Sequence, residues 1–198
     1  GIYDQPAYLL QQEAKASAAA SAADSKTKKP EARATVIYGP YWSDNGKHAV
    51  VVARSADNKD RWIMKLNPAT AELTLLDRQR DEAWINGPGI SYGPGDIGWM
   101  PDNESVWFHS EESGYSHLYT VNVNSGKKKA LTNGKFEVSE VRMSDDKKDF
   151  YFIANKVHPG EKHFYRMPVN GGGMVQLTSM PGANEVELSP DEKHLAIR

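Results

Sequence analysis

An all-β fold, a β-propeller fragment of about three four-stranded antiparallel blades, is predicted by three observations. Short apolar or alternating runs, such as Val-Trp-Phe at residues 106–108 and the stretch 118–123, are bracketed by turn residues, Pro101-Asp102 before them and Asn124-Ser-Gly126 after. Period-2 alternation between turns marks strands. The arrangement then repeats, with Asp44, Asp102, Asp146 and Asp191 opening successive units at steps of 58, 44 and 45 residues. Inside each unit an aromatic, Trp62, Tyr119 or Tyr165, expected in the second strand, is followed five residues later by Asn67, Asn124 or Asn170. Leu131-Thr132 recurs as Leu177-Thr178. Repeats of ~40–50 residues with four short strands each are the pattern of propeller blades, because one such sheet cannot bury both of its faces alone.

Taken in order, residues 1–37 read as a partly helical or flexible insertion. Their Ala/Ser tract favours helix but offers only Tyr8, Leu9 and Leu10 as an apolar patch. Blades are expected over residues 38–80, 97–140 and 141–185, with the first strand of a further blade at 186–198. In blade one the β-branched run at 49–54 is expected as the first strand, covered on both faces. Asp60 and Arg61 read as an exposed hairpin ion pair, with contact to a ligand in the central channel as the alternative. The extra residues of the long first step fall in 81–96, a Gly- and Pro-rich loop between blades.

Composition excludes several classes. A net charge of -2, with no basic run longer than Lys127-Lys-Lys129, leaves no electrostatic footprint for nucleic acid. The absence of cysteine excludes disulfides and thiolate metal sites and suits either cytoplasm or periplasm. No apolar run approaches ~18 residues, so no membrane span is expected. Three blades do not close a ring, and the chain reads as an arc of a larger propeller. Its unpaired edges predict self-association, including a homodimer, unless they are covered.

Candidate site residues are few. Gly89-Ile-Ser-Tyr-Gly93 matches the nucleophile-elbow pattern G-x-S-x-G, but the flanking Gly and Pro residues forbid the strand and helix that the motif needs, so Ser91 is not expected to be a nucleophile. Trp84 and Asn86 in the same loop are candidates for lining a cavity, with packing of Trp84 on blade two slightly favoured. Glu111-Glu112 reads as a solvated turn rather than an amine site. His158-Pro-Gly-Glu-Lys-His163 has no recognised ligand spacing and reads as a surface loop. No catalytic residue, metal or cofactor is expected in this chain.

The segments 110–119 (Ser-Glu-Glu-Ser-Gly-Tyr-Ser-His-Leu-Tyr), 131–138 (Leu-Thr-Asn-Gly-Lys-Phe-Glu-Val) and 163–167 (His-Phe-Tyr-Arg-Met) resemble the propeller domain of prolyl oligopeptidase family serine peptidases, in particular the bacterial dipeptidyl peptidase IV branch. Asp60-Arg61-Trp62-Ile63 and Asp81-Glu-Ala-Trp84 are similar to the same branch. The resemblance spans roughly residues 38–198. It implies a structural motif built from Asp60, Arg61, Trp62, Glu111, Glu112, Gly114, Tyr115, His117 and Tyr119. The family's amine-binding Glu pair belongs to a helical segment of an earlier blade, so Glu111-Glu112 does not inherit that role. Trp84 and Asn86 inherit only a position near the substrate cavity.

The resemblance further implies a partner α/β-hydrolase domain with a Ser-Asp-His triad, short peptides as substrates, and a periplasmic or secreted location. The propeller would then gate access of peptides to that domain. A protein-binding propeller of the TolB type, without an enzyme domain, is the alternative; a propeller polysaccharide lyase would need a channel-facing His or metal cluster.

Overall fold

The computed structural model describes residues 33–91 and 93–198, and among them every regular element is a strand. The partly helical or flexible insertion expected at residues 1–37 lies outside the described residues up to residue 32; of the remaining five, the last three belong to a strand. Blade one is the sheet β1 (Thr35–Trp42), β2 (Ala49–Ser55), β3 (Asp60–Leu66), β4 (Leu73–Arg80). Blade two is β5 (Ile97–Trp99), β6 (Ser105–Ser110), β7 (His117–Asn122), β8 (Lys128–Ala130). Blade three is β9 (Val138–Met143), β10 (Asp149–Ala154), β11 (His163–Pro168), β12 (Val175–Gln176), and β13 (Val186–Leu188) pairs with β14 (Leu195–Ile197). All pairings between these strands are antiparallel and join consecutive strands, and one isolated parallel bridge joins Lys162 and Ala183.

Strand numbering inside the blades differs from expectation. The run at 49–54 is the second strand of blade one, because β1 precedes it; a register shift between Tyr38 and Tyr41, around Gly39-Pro40, breaks the alternation that would have revealed β1. Trp62, Tyr119 and Tyr165 accordingly lie on third strands. The final segment supplies two strands rather than one.

The repeated turn is one residue off at its first occurrence. Met100, Ser43, Ser144 and Ser189 each donate their amide to the residue five positions on, closing the same turn four times. The side chains of Asn45, Asp146 and Asp191 then occupy one place, each bonded to that turn's serine hydroxyl, so blade one's anchor is Asn45 and not Asp44. The next residue, Gly46, Asn103, Lys147 or Glu192, has a positive φ of 57–68° in all four turns. The Asn landmark also shifts: Asn67 and Asn122 accept backbone amides at the turn after the third strand, whereas Asn124 sits further into that turn.

Packing follows the blade order. Val50, Val52 and Ile63 of blade one pack on Phe108, Tyr119 and Val121 of blade two. Trp107 and Leu118 on the other face of blade two meet Phe150, Phe152 and Tyr165, with Trp107 and Phe150 edge to face at 5.5 Å. Ile153 and Phe164 meet Val186 and Leu188. Burying one such side chain is worth about 1.5–3 kcal/mol. The polar bridges between neighbouring turns, Asn45 N–H to Asn103 Oδ1 and the exposed Lys147–Asp44 ion pair, are worth about 0–1 kcal/mol each. Apolar contact between blades therefore holds the arc, and the turn bridges set its register.

Because every connection is antiparallel, the turns after first and third strands lie at one rim. The hairpins after second strands and the loops between blades lie at the other. Residues 81–96 and the hairpin 111–116 share this second rim.

Candidate functional site

The loop 81–96 is the largest irregular feature among the described residues, and its backbone is fixed from below. Ile85 N–H donates to Asn58 O at 2.7 Å, Ile90 and Ser91 N–H donate to Gly87 O, and Asp96 N–H donates to Gly89 O at 2.7 Å. Ile85 and Ile90 are buried as its anchors, while Trp84 is 62% exposed and Asn86 is exposed. The packing of Trp84 on blade two is thus overturned: its neighbour Ile85 points inward and turns the indole to solvent. Ser91 donates its hydroxyl to Gly87 O at 2.6 Å and accepts Gly87 N–H, an internal turn contact rather than a poised nucleophile.

Asp60 and Arg61 are adjacent on β3, so they project to opposite faces of the sheet and do not pair. Both are completely buried, against the expectation of an exposed hairpin pair. Asp60 accepts from Arg33 Nη1 at 2.5 Å, Arg80 Nη1 at 2.6 Å and Arg78 Nη2 at 2.9 Å. Arg33 also lies over the ring of buried Trp62, 5.7 Å from its centroid. Arg61 faces blade two, where Nε donates to Pro94 O at 2.9 Å and Nη1 donates to His109 O at 3.0 Å and Gln79 Oε1.

The hairpin 111–116 stands beside the loop. Gly87, at φ +121°, leaves room for Glu111, whose Oε1 would be 2.2 Å from a Cβ there. Burial first, and then the charges of Glu137 and Asp81, raise the Glu111 carboxyl above its ordinary value. Glu112 is exposed and bonds Lys128 Nζ, which also holds Asp77 at 2.8 Å and lies 5.7 Å from the centroid of Tyr119. Gly114 closes the turn at φ +90° with its amide on Glu111 O, and Tyr115 O accepts the Ser113 hydroxyl. Between loop and hairpin lies a cleft of about 240 Å³ bordered by Arg80, Asp81, Ile85, Ile90, Glu111 and Glu112.

His117 is buried. Gly134 O can only accept, so the ring's Nε2–H donates to it at 3.0 Å, and Nδ1 accepts the Thr132 hydroxyl at 3.0 Å. Thr132 Oγ1 in turn accepts Leu118 N–H. Thr178 serves His163 and Phe164 N–H in the same way, which is the physical content of the repeated Leu-Thr pair. His163 Nε2 meets Glu161 Oε2 at 2.9 Å, while His158 Nδ1 accepts Gly160 N–H, so the two histidines make separate local contacts.

Three residues of this rim escape sequence reasoning: Arg54, His109 and Ser116. Ser116 Oγ donates to Pro88 O at 2.7 Å, so the 3.0 Å contact with His109 must be donated by His109 Nδ1–H. A relay from ring to hydroxyl to loop carbonyl results. The bare Nε2 faces Asp96 Oδ2 at 3.6 Å and is left without a hydrogen-bond partner. Burial, with Arg61 and His117 adding to it, pulls His109 down to about 3. Burial likewise raises Asp96. The only sequence signal for this set is that polar residues occupy strand positions where an apolar face is expected.

Residues 13–198 match the family model described as the dipeptidyl peptidase IV (DPP IV) N-terminal region. Dipeptidyl peptidase 4 of Trichophyton equinum is 30% identical over 143 residues, 70% of this chain and 18% of that protein. Dipeptidyl peptidase 4 of Arthroderma otae is 35% identical over 121 residues, 59% of this chain and 15% of that protein. The crystal structure of Porphyromonas gingivalis dipeptidyl peptidase 4 shares the fold with a TM-score of 0.59 at 15% identity, over 78% of this chain and 21% of that one. The chain spans less than a fifth of the length of these curated relatives.

Proposed function

Because the chain belongs to the family of the dipeptidyl peptidase IV N-terminal region, we propose that it forms part of a propeller that gates and shapes access of short peptides to a separate α/β-hydrolase domain. The TolB-like alternative has no comparable support. Bond cleavage in such a protein is acyl transfer by an activated serine with an oxyanion hole. Those groups belong to the hydrolase domain, and this chain contributes binding and orientation.

One observation carries the assignment of the rim: Trp84 and Asn86 project to solvent from a loop whose backbone is otherwise anchored, beside a cleft bordered by Glu111. An exposed indole on a fixed frame offers an apolar wall without losing much side-chain entropy on binding, and a neighbouring carboxamide offers a donor and an acceptor to an extended peptide main chain. Holding a peptide in one register raises kcat/KM by orientation rather than by chemistry.

The test is Trp84→Ala in the protein that carries this chain, assayed on dipeptidyl substrates. KM is expected to rise, or kcat/KM to fall, while Tm stays nearly unchanged, since the side chain is mostly exposed. Unchanged kinetics would remove Trp84 from the substrate path.

A further inference from the structure

Arg54 of β2 and Arg61 of β3 are direct cross-strand partners on the face of blade one that meets blade two. Both are buried, at 5% and 0% exposure. Like charges directly opposite each other destabilise a sheet, and buried ones do so more. Counting from the third-strand aromatics, the same two positions hold His109 and Leu118 in blade two and Ile153 and Phe164 in blade three. The fold therefore does not need arginine there, and blade one bears a cost that the others avoid.

The acceptors around Arg54 are neutral. Nη1 donates to Ile90 O at 2.5 Å and Gly93 O at 3.3 Å; Nη2 donates to Ile85 O at 3.2 Å and to Asn58 Oδ1 at 2.6 Å. With Arg61 on Pro94 O, two guanidinium groups collect four main-chain carbonyls of one interblade loop. A planar fork of donors suits several carbonyls at once, which a single ammonium does not. The loop's composition fits this: at Gly95, φ +69°, an added Cβ would meet Arg61 Nη2 at 3.0 Å and Gly89 O at 2.8 Å. Structureless loops this long inside a compact domain are uncommon unless they are functional.

We infer that Arg54 and Arg61 are positioning residues, a buried guanidinium pair that holds Ile85, Ile90, Gly93 and Pro94 through their carbonyls, so that Trp84 and Asn86 stand in one fixed place for a bound peptide. The peptide part rests on the proposed function; the wrapping rests on the geometry alone. Burial and the neighbouring Arg54 draw Arg61 down to about 10, which leaves it charged near neutral pH.

The experiment compares Arg54→Leu, Arg54→Lys and Arg61→Leu with the parent protein by hydrogen exchange of residues 85–96 and by steady-state peptide kinetics. Exchange at Ile85, Ile90 and Asp96 should accelerate by about tenfold or more, the loss expected when hydrogen bonds to a charged donor are removed. KM should rise by about tenfold with kcat largely kept, and Arg54→Lys should follow Arg54→Leu rather than the parent. If Arg54→Leu does not fold, Arg54→Lys and Arg61→Leu decide. Parent-like exchange in the folded variants overturns the wrapping. Faster exchange with an unchanged KM overturns the positioning role. A parent protein that binds no peptide removes the peptide part, while the exchange measurement still judges the loop.

Discussion

Asp60 and Arg80 face each other across β3 and β4, Oδ2 to Nη1 at 2.6 Å, at the register position where blade two sets His117 against Thr132 and blade three sets His163 against Thr178. The His–Thr pair ties the end of the fourth strand with two hydrogen bonds. Blade one replaces it with a carboxylate that has no exposure at all, and such an ion costs several kcal/mol to desolvate. Arg33, Arg78 and Arg80, each between 28% and 38% exposed, offset that cost.

Asp60→Asn should therefore lower the unfolding free energy by about 1–3 kcal/mol, below the scale for a fully buried pair because the arginines left without their counter-charge are part exposed. Asp60→His combined with Arg80→Thr installs the pairing of blades two and three and should recover part of the loss. Urea unfolding of the single and double variants measures both, and the non-additivity isolates the pair.

His109 makes a pH prediction. Its folded value is about 3 against the usual 6.5, so below pH 6.5 the unfolded chain takes up a proton that the fold refuses. Stability from this group is complete above 6.5 and is lost as pH falls from there toward 3, each tenfold of lost proton affinity being worth about 1.4 kcal/mol. His109→Gln should flatten the stability–pH profile, so that the wild-type-minus-variant difference falls as pH drops through that window. Chemical denaturation at pH 7, 5.5 and 4 shows whether it does.

The blade repeat is legible because it rests on local rules: turn residues at fixed spacing, alternation in the strands, and the Leu-Thr pair that closes the fourth strand of blades two and three. What escaped was non-local. β1 was hidden because Gly39 and Pro40 interrupt its alternation, and the Asp anchor slipped by one because Asn45 does the same work with an amide oxygen. At the rim, the exposure of Trp84 could not be read from its type, since tryptophan is mostly buried on average. Arg61 reads from the sequence as half of an exposed hairpin pair; only the folded loop shows that main-chain acceptors of Arg54 and Arg61 lie more than thirty residues away in sequence.

The Glu111 carboxyl makes the last prediction. It lies against Gly87 of the loop, and its affinity for a proton is raised by burial and by repulsion from Glu137 and Asp81. For a carboxyl held above its ordinary 4.5 the sign is the reverse of a salt-bridged one: the fold carries no penalty when the group is protonated and acquires it as pH rises through the folded value. The penalty is therefore larger at neutral pH than in acid. Glu111→Gln should raise Tm at pH 7, and the gain should shrink as pH is lowered toward 4. Glu112→Gln should behave differently, because that carboxylate is partnered by Lys128 on the exposed side of the turn and its removal costs about 0–1 kcal/mol at neutral pH. Differential scanning calorimetry of the two variants at both pH values separates the cases. An equal gain for Glu111→Gln at pH 7 and pH 4 would assign the effect to packing against Gly87 rather than to charge.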